Sequence, residues 1–269
     1  MAVADAAVSR FQIGRVASRT FGVIGNNIVP FTLLALLPGV PAAFMYWGWY
    51  RFAAGLNPLE RHFDLGAFST AGVAGLIYFV AYFVFQAAVV HSTVAYLNGK
   101  RASFADALST GLANFFPLFV LSILVGLGVL GGMILLLVPG IILALMWSVA
   151  VPVRVVEHSG ITAALGRSSE LTRGHRWAIF GLAVAFVIFE VIVGAVFGGL
   201  SAAQFMLSAS GDPAAAMRAW TTSPSHILAS TFAAIINLVI VAAGTASVYY
   251  ELRVVKEGIG PEALAAVFD

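Results

Sequence analysis

Of 269 residues, 61% are hydrophobic and only 10% carry charge, as 14 Lys or Arg and 12 Asp or Glu. Soluble domains carry roughly 25% charged residues, so these charges cannot coat a water-facing surface, which excludes an ordinary soluble enzyme, a disordered chain and a nucleic-acid binder of the basic-patch kind. The chain has no cysteine, which excludes disulfides, thiolate zinc sites and iron–sulfur clusters and leaves an all-α integral membrane protein.

A helix needs about 20 mostly apolar residues to cross a hydrocarbon core of roughly 30 Å. The first such run covers residues 29–50 and is interrupted by Pro38 and Pro41. The second covers 70–97. The stretch 115–156 is too long for one span, and Val138-Pro139-Gly140 near its middle predicts a tight outer turn between spans three and four. The fifth span covers 177–200 and the sixth 227–250. The runs are continuous rather than alternating, which argues against strands. The chain therefore reads as a single six-span membrane domain over residues 1–269.

Basic residues orient the bundle. Arg10, Arg15, Arg19, Lys100, Arg101, Arg154, Arg167, Arg173, Arg176, Arg253 and Lys256 fall on one side, and Arg51, Arg61 and Arg218 on the other. Both termini are expected to be cytoplasmic. Tyr46, Trp47, Trp49 and Tyr50 suit an outer boundary, and Trp177, Tyr249 and Tyr250 an inner one. Residues 1–28 lack the continuous apolar core of a signal peptide, and the expected address is the inner membrane.

Three cytoplasmic segments have amphipathic character. Ile13, Val16, Ala17, Phe21 and Ile24 share one helical face, opposite Gln12, Arg15 and Arg19, the pattern of a helix lying in the membrane interface. Phe104, Ala107, Leu108 and Gly111 repeat the spacing, as do Ile161, Ala164, Leu165, Ser168, Leu171 and Thr172. Each segment leads into a span at a polar elbow: Gly25-Asn26-Asn27, Asn114 and Gly174-His175-Arg176. One reading is a threefold repeat of interfacial helix, elbow and two spans, starting near residues 8, 102 and 159. The other is that any cytoplasmic loop preceding a span looks amphipathic.

From residue 138 the chain carries further motifs. They run Val138-Pro139-Gly140-Ile141, Trp147-Ser148, Ala150-Val151-Pro152 and Val155-Val156-Glu157. After them come Ala164-Leu165-Gly166-Arg167-Ser168, Glu170-Leu171-Thr172-Arg173-Gly174 and Arg176-Trp177, and the ending is Tyr249-Tyr250-Glu251-Leu252-Arg253 with Lys256-Glu257-Gly258. This pattern resembles the membrane domain associated with glycerophosphoryl diester phosphodiesterases and its stand-alone six-span relatives. The resemblance implies a six-helix inner-membrane protein. It does not imply phosphodiesterase activity, which belongs to a separate soluble barrel for which these residues leave no room, and it brings no catalytic residues with it.

Two groups of side chains are candidates for function. Glu190 lies about 20 Å from the inner end of span five, at about 1.5 Å per residue. A carboxylate at that depth is costly unless it is neutral, paired or near water. Asn237, Gln86 and Ser148 fall at similar depth, so the four form a polar layer that either lines a cavity or holds helices together. The second group is Arg167, Arg173, His175 and Arg176 beside Trp177, a candidate site for an anionic headgroup. Glu157, Glu170, Glu251 and Glu257 are available as competing partners. The resemblance also implies Arg154 with Glu157, and Glu251 with Arg253, as paired structural features of the inner boundary. Gly128 with Gly132, and Gly194 with Gly198, have spacing suited to close helix packing.

The histidines His62, His91, His158, His175 and His226 show no ligand spacing, and no nucleotide or hydrolase motif is present. The expectation is therefore a protein with no metal, no cofactor and no catalytic residues. Its expected partners are membrane lipids, with a protein partner or a second copy also open and nucleic acid not expected. The leading function is a non-enzymatic transporter or binding component for a lipid or hydrophobic solute. The alternative is a scaffold that docks a partner through its cytoplasmic helices.

Overall fold

The computed structural model describes residues 11–55, 64–208, 220 and 223–258. The predicted outer cations Arg61 and Arg218, with Arg10 and His62, lie outside them. Among the described residues there are nine helices and no strand: α1 (Ile13–Asn26), α2 (Ile28–Gly55), α3 (Leu65–Leu97), α4 (Phe104–Leu135), α5 (Leu137–Met146), α6 (Ala150–Glu157), α7 (Ile161–Thr172), α8 (Arg176–Ser208) and α9 (Pro224–Glu257). Six segments are long and apolar enough to cross a membrane: Ile28–Ala53, Leu65–Leu97, Phe104–Leu135, Leu137–Glu157, Arg176–Val196 and Pro224–Glu257. The chain is an all-α, multi-pass membrane protein. Helices meet the need to satisfy every backbone polar group within the segment, where no water can.

Three helix boundaries differ from the sequence reading. Pro38 and Pro41 do not interrupt the first span, because α2 runs through both. A membrane helix tolerates proline where its neighbours re-satisfy the freed carbonyls. The turn expected at Val138-Pro139-Gly140 falls earlier, at Leu136, which alone is extended (φ −163°, ψ 146°). Pro139 then sits in the first turn of α5, where its missing N–H costs nothing. Its ring would clash with the carbonyl of residue 135 in an unbroken helix, so the break precedes the proline. The third difference is at Asn114, the expected elbow, which is buried inside continuous α4, its amide donating to the Thr110 carbonyl at 2.8 Å.

The fourth span is itself divided. Residues 147–149 form a turn between α5 and α6, and Pro152 stands in the first turn of α6 as Pro139 does in α5. The Ala150 N–H bonds to the Trp147 carbonyl at 3.1 Å, leaving the Met146 carbonyl without a helical donor. Fully buried α7 side chains face it: Ser168 Oγ donates to it at 2.8 Å, and Thr172 Oγ1 lies 3.3 Å from it, though closer, at 3.0 Å, to the Ser168 carbonyl of its own helix. The small polar residues of α7 are therefore spent on closing a broken span.

The helices form two compact units, each built from several stretches of chain. The first takes the described parts of Met1–Leu34, Phe83–Ala185 and Val239–Asp269; the second takes those of Ala35–Tyr82 and Phe186–Leu238. In the first unit, Gly111 lets α4 approach α3 so closely that a Cβ there would stand 2.5 Å from the Val84 carbonyl oxygen. Phe83 packs edge-on to Phe115 and Phe119 beside this contact, each at 6.2 Å. Gly128 faces the Trp147 ring and Gly132 faces Gly140, so the first glycine pair does pack helices within the chain. In the second unit, Gly48 lies against the Ala71 backbone and Gly39 against Ile235. Gly194 faces open space, and the surroundings of Gly198 lie outside the described residues.

Candidate functional site

The polar chemistry of the first unit centres on Glu251, a fully buried carboxylate in α9. One oxygen accepts from Arg15 Nε at 2.9 Å, from Arg15 Nη2 at 2.6 Å and from the Gln12 backbone N–H at 3.3 Å. The other accepts from Arg19 Nη1, and the Arg19 guanidinium also lies 5.1 Å above the Tyr250 ring. Buried charge is tolerated only when paired and hydrogen-bonded, and here two guanidiniums and one amide do both. The polar face of α1 therefore points into the protein, where an interfacial helix would turn it to water. Val16, Thr20 and Val23 are buried on the adjacent face, while Phe21 remains 55% exposed. The expected Glu251–Arg253 pair is replaced, because positions two residues apart along one turn of α9 project to opposite sides of the helix.

Arg253 belongs to a second cluster. Its Nε donates to Glu257 at 2.9 Å and its Nη1 to the Tyr249 hydroxyl at 3.3 Å. The Tyr249 hydroxyl donates to Glu157 at 2.9 Å. Arg167 closes the circuit, donating to Glu157 at 3.3 Å and to Glu257, with Glu170 a further 3.8 Å neighbour. Glu157 thus takes Arg167 and Tyr249 in place of the expected Arg154.

This circuit divides the predicted headgroup cluster. Arg167 is held by carboxylates from three helices and is unavailable to an anionic ligand. Arg173 is exposed, and among the described residues neither it nor Arg176 has an ion pair. The Arg176 Nε is buried without a hydrogen-bond partner. Trp177 beside them is 85% exposed. The His175 ring lies 6.0 Å from that of Phe11, tilted by 33°. Burial, and then the Lys256 charge, push its pKa below the usual histidine value.

The predicted intramembrane layer is not joined by hydrogen bonds. Ser148 Oγ donates to the Leu145 carbonyl of its own helix at 2.9 Å. Gln86 and Ser148 belong to the first unit, Glu190 and Asn237 to the second. Glu190 and Asn237 are half-buried, and no hydrogen bond links their side chains. Among the described residues, no three His, Asp or Glu side chains gather as a metal set requires.

A site the sequence reading missed lies in the first unit, where the α1–α2 junction meets the end of α3 and the start of α4. It is a shallow, open crevice whose enclosed volume is only about 20 Å³. Phe31 and Leu34 form its floor, Asn27 and Tyr96 its walls, and Lys100 and Arg101 its rim. Both cations are exposed, with no carboxylate partner among the described residues. The nearby acid Asp106 is committed to the Ser103 cap of α4. The available signal was Lys100-Arg101 directly after the left-handed Gly99 (φ 71°), which turns the chain sharply at the end of a span. Comparison with known proteins returns no matching family model, no matching characterised protein and no matching solved structure.

Proposed function

We propose that this chain is a non-enzymatic inner-membrane protein, both termini cytoplasmic, that binds the phosphate headgroup of anionic lipid as part of handling a lipid or hydrophobic solute. The crevice bearing Lys100 and Arg101 carries this reading. It combines an apolar floor, two polar side chains able to donate hydrogen bonds, and two cations without carboxylate partners among the described residues, at the end of membrane spans. That is the chemistry a phosphate at the membrane surface requires. Arg173, Arg176 and Trp177 are a second contact for the same lipid class. The resemblance of residues 138–177 and 249–258 to the phosphodiesterase-associated membrane domain is consistent with this reading and forms part of it.

The test is lipid retention by the purified chain in detergent, read by native mass spectrometry with phosphatidylglycerol and phosphatidylcholine offered together. Retention of phosphatidylglycerol should fall at least tenfold in Lys100→Gln/Arg101→Gln. It should fall a few-fold in Tyr96→Phe, which keeps both charges, and stay high in Arg167→Gln. Equal retention of the two lipids by the unaltered chain would refute the proposal. Capture of a protein by the cytoplasmic helices without lipid preference would favour the scaffold reading instead.

A further inference from the structure

From Ile123 to Trp147 no residue carries a charge, hydroxyl or amide, although this stretch includes the whole turn between α4 and α5. At the turn, Ile134, Leu135, Leu136, Leu137 and Val138 are 77, 79, 70, 65 and 64% exposed. A water-facing loop of five consecutive large apolar side chains is unfavourable by about 25 cal/mol for each Å² left wet, and loops on aqueous surfaces are normally polar for that reason.

The backbone of the turn is only partly satisfied, which places its open N–H and carbonyl groups at the headgroup edge of the core and not inside it. The Leu136 N–H is bonded to the Gly132 carbonyl at 3.0 Å. Pro139 has no N–H to satisfy, and the Gly140 N–H is directed at the Leu136 carbonyl at 3.5 Å. Gly132 against Gly140 makes the tip narrow: a Cβ on Gly132 would stand 2.9 Å from Gly140 Cα. Length agrees as well. From Phe115, just past buried Asn114, to Leu135 the helix rises about 30 Å, the thickness of the hydrocarbon core. The tip therefore reaches the far edge of the core with nothing polar to carry it further.

We infer that the α4–α5 hairpin does not emerge into water: its tip stops at the far edge of the hydrocarbon core, where the side chains of residues 134–138 form a lipid-contact surface. The occupant is hydrocarbon, because the exposed side chains continue without interruption the apolar surface of the helices leading to them, among them Leu127 and Leu130. This inference is independent of the phosphate-binding proposal, since it rests on other residues.

The chain has no cysteine, so single labels are introduced directly. Leu136→Cys and Leu135→Cys, each carrying a nitroxide, are reconstituted into vesicles of phosphatidylcholine with phosphatidylglycerol, with Arg101→Cys as the aqueous reference. Power saturation should show collision with oxygen but not with a water-soluble nickel chelate at residues 135 and 136, and the reverse at 101. Nickel access at both tip positions means an aqueous loop and overturns the inference. An immobile label shielded from both reagents means that a second copy or another protein covers the tip, which overturns it equally.

Discussion

Arg15 and Glu251, separated by 236 positions, are joined by two hydrogen bonds to a single carboxylate oxygen, and this pairing fastens the first described helix to the last. Burial of Glu251 is complete, whereas Arg15 and Arg19 remain 29 and 25% exposed. Removing the carboxylate leaves cations that water can reach; removing one arginine leaves the carboxylate still paired with the other.

Glu251→Ala removes every contact of the cluster but leaves no buried charge, so it should cost about 1.5 to 3 kcal/mol; Arg15→Ala or Arg19→Ala, which leaves a fully buried carboxylate with one guanidinium, should cost a similar amount. Hydrogen exchange reads the effect by region. Protection should drop across α1 in Glu251→Ala and persist in the middle of α9. Equal loss in both helices would mean that the carboxylate supports α9 itself and does not tether α1.

The circuit of Glu157, Tyr249, Arg253, Glu257 and Arg167 makes Tyr249 a bridge between a carboxylate and a guanidinium. Tyr249→Phe removes the hydroxyl and nothing else. It should destabilise by about 1.5 to 3 kcal/mol, the range for hydrogen bonds to charged groups. A double-mutant cycle with Glu157→Gln measures the coupling, which is expected to be well above zero. Strict additivity would show that the 2.9 Å contact contributes no energy.

Two glycines of the same chain should respond oppositely to alanine. At Gly140 a Cβ would stand 2.7 Å from the Met133 backbone nitrogen, at Gly194 it meets nothing within 4 Å. Gly140→Ala should cost about 1 to 3 kcal/mol through overpacking. Gly194→Ala should gain about 0.5 to 1 kcal/mol from its lower unfolded-state entropy in a helix. Thermal unfolding in one detergent reads both changes.

His175 carries a pH signature. Burial and the Lys256 charge hold its folded-state pKa below the ordinary value of 6.5. The unfolded chain therefore binds the proton first as pH falls, and stability from this residue, fully present above about pH 6.5, is lost below it. Melting temperature should decline more steeply between pH 6.5 and 5 in the unaltered chain than in His175→Asn. Parallel curves, or an NMR titration midpoint above 6.5, would contradict the sign.

Ser168→Ala combined with Thr172→Val should leave the Met146 carbonyl without a donor. The expected cost is about 1 to 3 kcal/mol for one unsatisfied buried group, with the larger share from Ser168, whose bond is shorter at 2.8 Å than the 3.3 Å of Thr172. An unchanged melting temperature would mean that water reaches the broken span.

Composition and apolar run length by themselves determined that this chain is helical and crosses a membrane six times, because hydrocarbon demands about 20 apolar residues per crossing and helices satisfy their own backbone. The spacing of Gly128 and Gly132 likewise pointed to a close helix contact, though Gly194, in a pair of the same spacing, faces open space, so spacing alone does not decide it. The positions of the breaks were only half legible: Pro139 and Pro152 signal them, but the clash acts on the carbonyl four residues upstream, so the chain bends at Leu136 and at residues 147–149. The partners of the charges were decided by tertiary structure alone. Glu251 could choose among eleven cations on its side of the sequence map, and the family resemblance suggested Arg253. Packing of Val16, Thr20 and Val23 brought Arg15 and Arg19 to it instead. The same assembly consumed Arg167 and left Lys100 and Arg101 without a carboxylate partner among the described residues, because which cations remain for a ligand depends on which carboxylates the folded helices have already neutralised.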